Sequence, residues 1–150
     1  MRGLSNNQIC IGIARDKKQI YCKIEKQGKP SSDSTWKTFS THIKRGSELV
    51  HDGDKSHARL VKELDLISVV YKSKEQKGIE DKENPLDLIN KVCNNLKYFL
   101  NAHKGFNRND LQGLLDLYVY IHNTPMDYLI KIDLLVKYAI KNKALLRFRS

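Results

Sequence analysis

The stretch "SELVHDGDKSHARLVKEL", residues 47 to 64, holds the most chemically suggestive residues of the chain. A short apolar run climbs to His51 and Asp52, breaks at Gly53, and restarts as an amphipathic helix. Asp is a poor strand residue and is costly to desolvate without a partner. At the end of a strand it therefore either caps the next helix or holds something charged. A second acid, Asp16, follows another apolar run, "QICIGIAR", and sits in its turn. Cys10, Cys22 and Cys93 form no CxxC and no Cys/His pair at zinc spacing, so they read as free thiols and not as a metal-thiolate site. His51, His57, His103 and His122 stand at no ligand spacing and read as surface or packing positions, with His51 and His57 flanking Asp52.

These residues must be positioned by a fold that the composition bounds. At 150 residues the chain suits one domain, long enough to bury a real core. Its formal charge of +10, spread along the sequence, suggests a polyanionic partner such as nucleic acid or an anionic membrane surface. Charged residues make up 29% and hydrophobic ones 40%, a globular balance, and no apolar run approaches the roughly 18 residues of a membrane span. With no apolar leader at the N-terminus, a soluble cytoplasmic protein with reduced thiols is expected.

Periodicity supplies the elements. Residues 8 to 13, "QICIGI", and then "QIYCKIEKQ", in which Ile20, Cys22 and Ile24 alternate with Tyr21, Lys23 and Glu25, predict a hairpin around "RDKK". After the loop "GKPSSDS", Ser34 or Thr35 can cap a helix with Trp36, Phe39 and Ile43 on one face. Residues 47 to 51 predict a third strand and 55 to 64 a helix with His57, Leu60, Val61 and Leu64 inside. "LISVVYK", residues 66 to 72, is a β-branched fourth strand. Beyond the charged loop "SKEQKGIEDKENP" the chain reads as helical: Leu86, Ile89, Cys93, Leu96 and Leu100 step by three and four. A second helix starts at Asn109, with Leu111, Leu114, Leu115, Tyr118 and Ile121 on its face. "TPMD" starts a third, with Thr124 as N-cap, Pro125 at the first position and Asp127 closing a capping box, followed by Leu129, Ile132, Val136 and Ile140. The order implies an α/β fold with a mixed sheet covered by helices and a helical C-terminal third, with Asp52 at the carboxyl end of a strand where functional groups gather.

Three strings, "RGLSNNQICIGIARDKKQI", "GSELVHDGDKSHARLVKEL" and "INKVCNNLKYFLNAHKGFNRNDLQGLLDLYVYIHN", together resemble the DDE domain of bacterial insertion-sequence transposases of the ISXO-like branch. The resemblance covers residues 2 to about 123 in order and spacing. It implies an RNase H-like mixed sheet, and DNA cleavage and strand transfer by carboxylates holding two Mg²⁺ (or Mn²⁺) ions roughly 4 Å apart during transposition of a mobile element. Asp52 matches the family's second catalytic aspartate and so a metal ligand. Cys93 matches the third position, where relatives carry Glu or His, with Asn90 one turn earlier. Neither is a carboxylate, and a neutral Cys is a poor ligand for a hard cation. The family's first aspartate lies on a central strand upstream of "RGLS", with a zinc-ribbon and DNA-binding region before that. Residues 1 to 150 are therefore expected to form a partial, N-terminally truncated domain, with Asp16 as the nearest substitute acid. Lys97, in "NLK", matches a basic position of the family helix and would contact phosphate; Lys104 and the terminal "KNKALLRFRS" are further DNA contacts on charge alone. Implied partners are element-end and target DNA, a second copy of the chain, or an intact transposase, with no membrane. A non-catalytic DNA-binding or dimerising remnant that modulates an intact transposase is the rival reading, and a nuclease using Asp16 and Asp52 the third.

Overall fold

A computed structural model describes residues 8–72, 84–123 and 125–141. Two strands, β1 (Ile9–Arg15) and β2 (Ile20–Gln27), form an antiparallel hairpin whose register runs from Arg15 opposite Ile20 to Ile9 opposite Gln27, shifting between Cys10 and Ile11. A helix, α1 (Ser32–Phe39), follows. Next comes a compact β–α–β unit: β3 (Glu48–His51), a 3-10 turn (Lys55–His57), α2 (Ala58–Glu63) and β4 (Ile67–Val70), with β3 and β4 parallel and Leu49 opposite Ser68. Three helices complete the order: α3 (Asp87–Ala102), α4 (Leu111–His122) and α5 (Tyr128–Lys141).

The period-2 alternation of the hairpin gives it two different faces. Ile20 and Cys22, with Ile9, Ile11, Ile13 and Ile24 beside them, pack against Val92 and Leu96 of α3 and Leu111, Leu115 and Tyr118 of α4. The opposite face carries Ala14 and Tyr21, which pack with Phe39 of α1, Leu60 of α2 and Leu66. Gly12 lies on this second face because a Cβ there would sit 2.8 Å from the Phe39 ring. A larger residue would push the ring, and α1 with it, off the strand. Glu25 ties the two layers together: its carboxylate accepts from Ser34 Oγ at 2.9 Å and from the Thr35 hydroxyl, in the first turn of α1. The outer edge of β2 is closed by side chains of α4 and its C-cap. Asn123 accepts from the Ile20 N–H at 2.7 Å and donates to the Ile20 carbonyl at 2.8 Å, while Gln112 accepts from the Ile24 N–H at 2.9 Å.

The mixed α/β class and the order of elements match expectation, but a single mixed sheet does not form: among the described residues the strands make two separate two-stranded sheets, β1–β2 and β3–β4. Capping also differs. Ser31, and neither Ser34 nor Thr35, is the N-cap of α1, and Ser34 sits three residues on, returning the capping-box bond to the Ser31 N–H at 2.9 Å. Asn107 caps a 3-10 turn (Arg108–Asp110) that leads into α4, because its side chain reaches the Asn109 N–H at 3.0 Å. Asp127 accepts from the Leu129 and Ile130 N–H groups at 2.8 and 3.2 Å, the bonds of a cap and not of a capping-box closer; Thr124 lies outside the described residues. The acid-and-lysine loop over 73–83 and the basic terminus over 142–150 also lie outside them. The apolar face expected of α5 is present but uncovered, with Leu129 77% and Ile140 67% exposed. No described helix is long and apolar enough to cross a membrane.

Leu115 is completely buried in the core against the hairpin, whereas Leu135 is exposed on α5. Leu115→Ala should lower unfolding free energy by about 3 kcal/mol, the usual cost of a large-to-small change in a packed core. Leu135→Ala should change it by under about 0.5 kcal/mol, as surface substitutions do. Urea unfolding followed by circular dichroism measures both.

Candidate functional site

The site grows from the end of β3. Parallel pairing with β4 fixes His51 opposite Val70, and the chain then turns through Asp52, Gly53 and Asp54. Gly53 is required: its φ is +82°, a left-handed conformation that side chains disfavour, and a Cβ would lie 2.8 Å from Val70 Cγ1. The tight turn divides the work of the two acids. Asp54 is the cap, accepting from the Ser56 N–H at 2.8 Å, a bond that lowers its pKa. Among the described residues Asp52 accepts one hydrogen bond, from the Asp54 N–H at 3.1 Å, and its side chain stays 53% exposed.

The turn brings His51, Asp52 and His57 together, with one potential ligand atom from each lying within 4.8 Å of the others. The two imidazole Nδ1 atoms are 3.2 Å apart, and His57 Nδ1 is 3.9 Å from Asp52 Oδ1. Nitrogen ligands bound to one tetrahedral ion at about 2.0–2.1 Å lie about 3.3 Å from each other, so the imidazole spacing fits a shared cation. His51 Nδ1 accepts the Gly53 N–H at 3.2 Å, which leaves Nε2 to donate to Ser68 Oγ at 2.9 Å; a cation at Nδ1 would displace the Gly53 N–H from that nitrogen's one lone pair. A ligating His is characteristically oriented by such an outer hydrogen bond from its second nitrogen. One carboxylate and two imidazoles suit Mn²⁺, Fe²⁺ or Zn²⁺ better than Mg²⁺, which prefers an all-oxygen shell.

His51, Asp52 and His57 open onto a cleft of about 610 Å³ between the two sheets, lined by Phe39 and Leu60 and by Leu86, just before α3, with Ile89 and Cys93 of that helix. Asn90 lines the same cleft, as do Arg15 and Glu48. Three residues singled out from the sequence, Asp52, Asn90 and Cys93, thus share one cavity although up to 41 positions separate them. Burial pushes the Cys93 thiol above its ordinary value, more than the Lys97 charge pulls it down, so it faces the cleft as a neutral group. Asp16 does not belong to this site. Its carboxylate holds the hairpin turn, accepting from the Lys18 and Gln19 N–H groups at 2.7 and 2.6 Å, and those bonds lower its pKa. Lys97 projects from the exposed face of α3 one turn beyond Cys93, and Lys104 is exposed past the end of that helix; neither lines the cleft.

His51 and His57, read from the sequence as surface or packing positions flanking Asp52, are neighbours in the structure. Six positions apart, they match no helical or strand spacing, and only the turn at Gly53 closes the distance. The "HDGD" string was the available signal, since Asp-Gly marks a tight turn that folds the chain back on itself.

Comparison with protein-family models, with curated proteins and with solved structures gives no match.

Burial, with repulsion from His57, holds the His51 pKa below its ordinary 6.5, while Asp52 opposes the shift. The unfolded chain then takes up a proton at His51 before the folded one does, so stability falls as pH drops through about 6.5 toward the folded value. Melting temperatures between pH 7.5 and 5.5 should decline more steeply for the parent chain than for His51→Gln, in which that differential uptake is gone.

Proposed function

We propose that this chain is a DNA-processing domain of the transposase type, RNase H-like in architecture, whose metal centre lies at the end of β3. The observation that carries the reading is the convergence of Asp52, Asn90 and Cys93 on one cleft, because the family resemblance pairs those positions in chemistry and nothing in their sequence spacing requires them to meet. The charge of +10 supports a DNA partner, since lysines and arginines bind the phosphate backbone by releasing its counterions.

In this reading His51, Asp52 and His57 hold a divalent ion, Mn²⁺ in preference to Mg²⁺ on the chemistry of the donors. Bound there, the ion would polarise a phosphodiester oxygen and lower the pKa of a water. The chain's own residues do the rest. Asp52 supplies the negative charge that draws a cation to the turn, Ser68 keeps the His51 lone pair aimed inward, and Asn90 offers an amide across the cleft. Lys97, near Cys93, and the exposed Lys104 would follow the DNA backbone. Cys93 contributes no charge, so DNA cleavage is expected to be slow relative to binding. That neutrality favours the second reading: a DNA-binding chain that modulates an intact transposase without cutting.

The test uses a labelled duplex carrying element-end sequence, with Mn²⁺, Mg²⁺ or chelator. Binding should weaken at least tenfold between 50 and 200 mM salt, as expected when several phosphates are neutralised. Nicking should require Mn²⁺ and fall at least tenfold in Asp52→Ala, with duplex binding changed less than threefold. Salt-sensitive binding with no Mn²⁺-dependent nicking selects the non-catalytic reading, and failure to bind DNA at 50 mM salt sinks both.

A further inference from the structure

Among the described elements α5 has the surface that the fold uses least. Its 14 residues span about 21 Å, and a free helix of that length is marginal in water. Nine of its side chains are apolar and 45–77% exposed. A helix apolar around most of its circumference is ordinarily a buried one. Among the described residues the body of the molecule holds one side of it. Lys131, the buried residue of α5, donates from Nζ to the Ile121 carbonyl at the end of α4 and lies 5.9 Å from the Tyr120 ring centre. The Tyr120 hydroxyl donates in return to the Lys131 carbonyl. At about 100° per residue Leu134, Leu135 and Tyr138 share the Lys131 side, whereas Leu129, Ile132, Val136 and Ile140 fall within an arc of about 80° on the opposite side. Steps of three and four make these last four one seam, each at least 51% exposed.

The charges beside the seam decide what fits it. Asp133 and Lys137 run along one edge, 56% and 66% exposed and paired at 2.6 Å. The seam centres between Leu134 and Leu135, so a second copy set antiparallel about a twofold axis there brings Leu129 to the partner's Ile140 and Ile132 to the partner's Val136. That axis keeps both charged rows on the same side of the seam, with each Asp133 within a turn of the partner's Lys137. Unlike charges then meet across the pair, and the two helix dipoles oppose. A parallel pair would lay each charged row against the partner's apolar edge, at Tyr128 and Leu135, and strip water from the ions without a partner. An anionic bilayer fits less well, because the exposed charges Asp133, Lys137 and Lys141 leave one net positive charge, far from the basic face of a membrane-surface helix. About 21 Å of helix buries less than the standard 800 Å² or so per partner, so the pairing is reversible.

We propose that α5 is a self-association surface, along which two copies of the chain pair antiparallel through Leu129, Ile132, Val136 and Ile140, with Asp133 of each copy beside the partner's Lys137. This inference rests on α5 alone and needs neither DNA nor a metal ion.

Sedimentation equilibrium of the full chain between about 5 and 500 µM tests it, without metal or DNA, in 0.15 M salt, where a Debye length of about 8 Å screens the +10 charge of each copy. The mean mass should rise with concentration from 17.4 kDa toward twice that value. Ile132→Lys and Val136→Lys, both at exposed positions, should each weaken pairing at least tenfold with helical circular dichroism unchanged. Asp133→Lys and Lys137→Asp should each do the same when alone, since either sets four like charges across the seam. An equimolar mixture of those two variants should regain pairing to within threefold of the parent chain, a rescue that repair of an ion pair within one helix cannot produce. A chain that stays monomeric at 500 µM overturns the proposal, as does pairing that survives the seam lysines or a mixture that fails to rescue. Binding to phosphatidylglycerol vesicles in place of pairing would overturn it too, and assign α5 to a lipid surface. Nicking and duplex binding are read separately, so this proposal and the metal and DNA reading can each fail while the other stands.

Discussion

The hairpin buried on both faces is the constraint on which the rest of the molecule depends. One face gives Ile20 and Cys22 to the α3–α4 core, where burial pushes the Cys22 thiol up to about 11, and the other receives Phe39 over Gly12. A two-stranded ribbon is marginal by itself in water, so its order comes from this double cover. Glu25 then anchors α1 to β2, and Asn123 with Gln112 closes the outer edge, leaving the β1 edge without a backbone partner among the described residues. That open edge faces the site.

The site inherits its geometry from the same packing. Val92 and Leu96 on α3 sit deep in the core, which rotates the neighbouring stripe of Ile89 and Cys93 toward the cleft and Asn90 along with them. On the other side, Leu60 and Leu66 pin the β–α–β unit against Phe39, and so set where β3 ends and where the turn at Gly53 begins. The α1–α2 contact is reinforced by Arg59, which lies 5.0 Å over the Trp36 ring and pairs with Asp33 at 2.6 Å. Exposure of both charges makes that pair worth little in free energy, and its effect is on the orientation of Trp36.

Much of the fold was legible in the sequence because burial imposes a period. Ile20, Cys22 and Ile24 alternate, Leu96 and Leu100 step by four, and these patterns name their elements wherever a face is covered. What escaped the sequence is what depends on meeting across space. Gln112 and Asn123 look like ordinary polar positions of a helix and its end, yet their amides replace a missing neighbour strand. Glu25 reads as the solvent side of an alternating strand and is a link to α1. The expectation of one mixed sheet failed for a related reason: β-branched runs predict strands, but not whether two edges lie close enough to pair. On α5 the helical period is clear and the apolar face is exposed, so periodicity alone does not establish burial.

Asp52 illustrates how a local ambiguity resolves. In "HDGD" either acid could cap the following turn, and a cap is the commoner duty for an Asp beside Gly. Asp54 takes that duty, as its lowered pKa and its bond to the Ser56 N–H agree. Asp52 is left with one weakly constrained backbone contact and an imidazole 3.9 Å away. Its removal would cost the turn little, since a half-exposed hydrogen bond contributes about 1 kcal/mol at most. Asp52 is thus a carboxylate that the fold hardly needs, beside the paired imidazoles of His51 and His57 at the mouth of the cleft, and that spare position is what separates it from the capping Asp54.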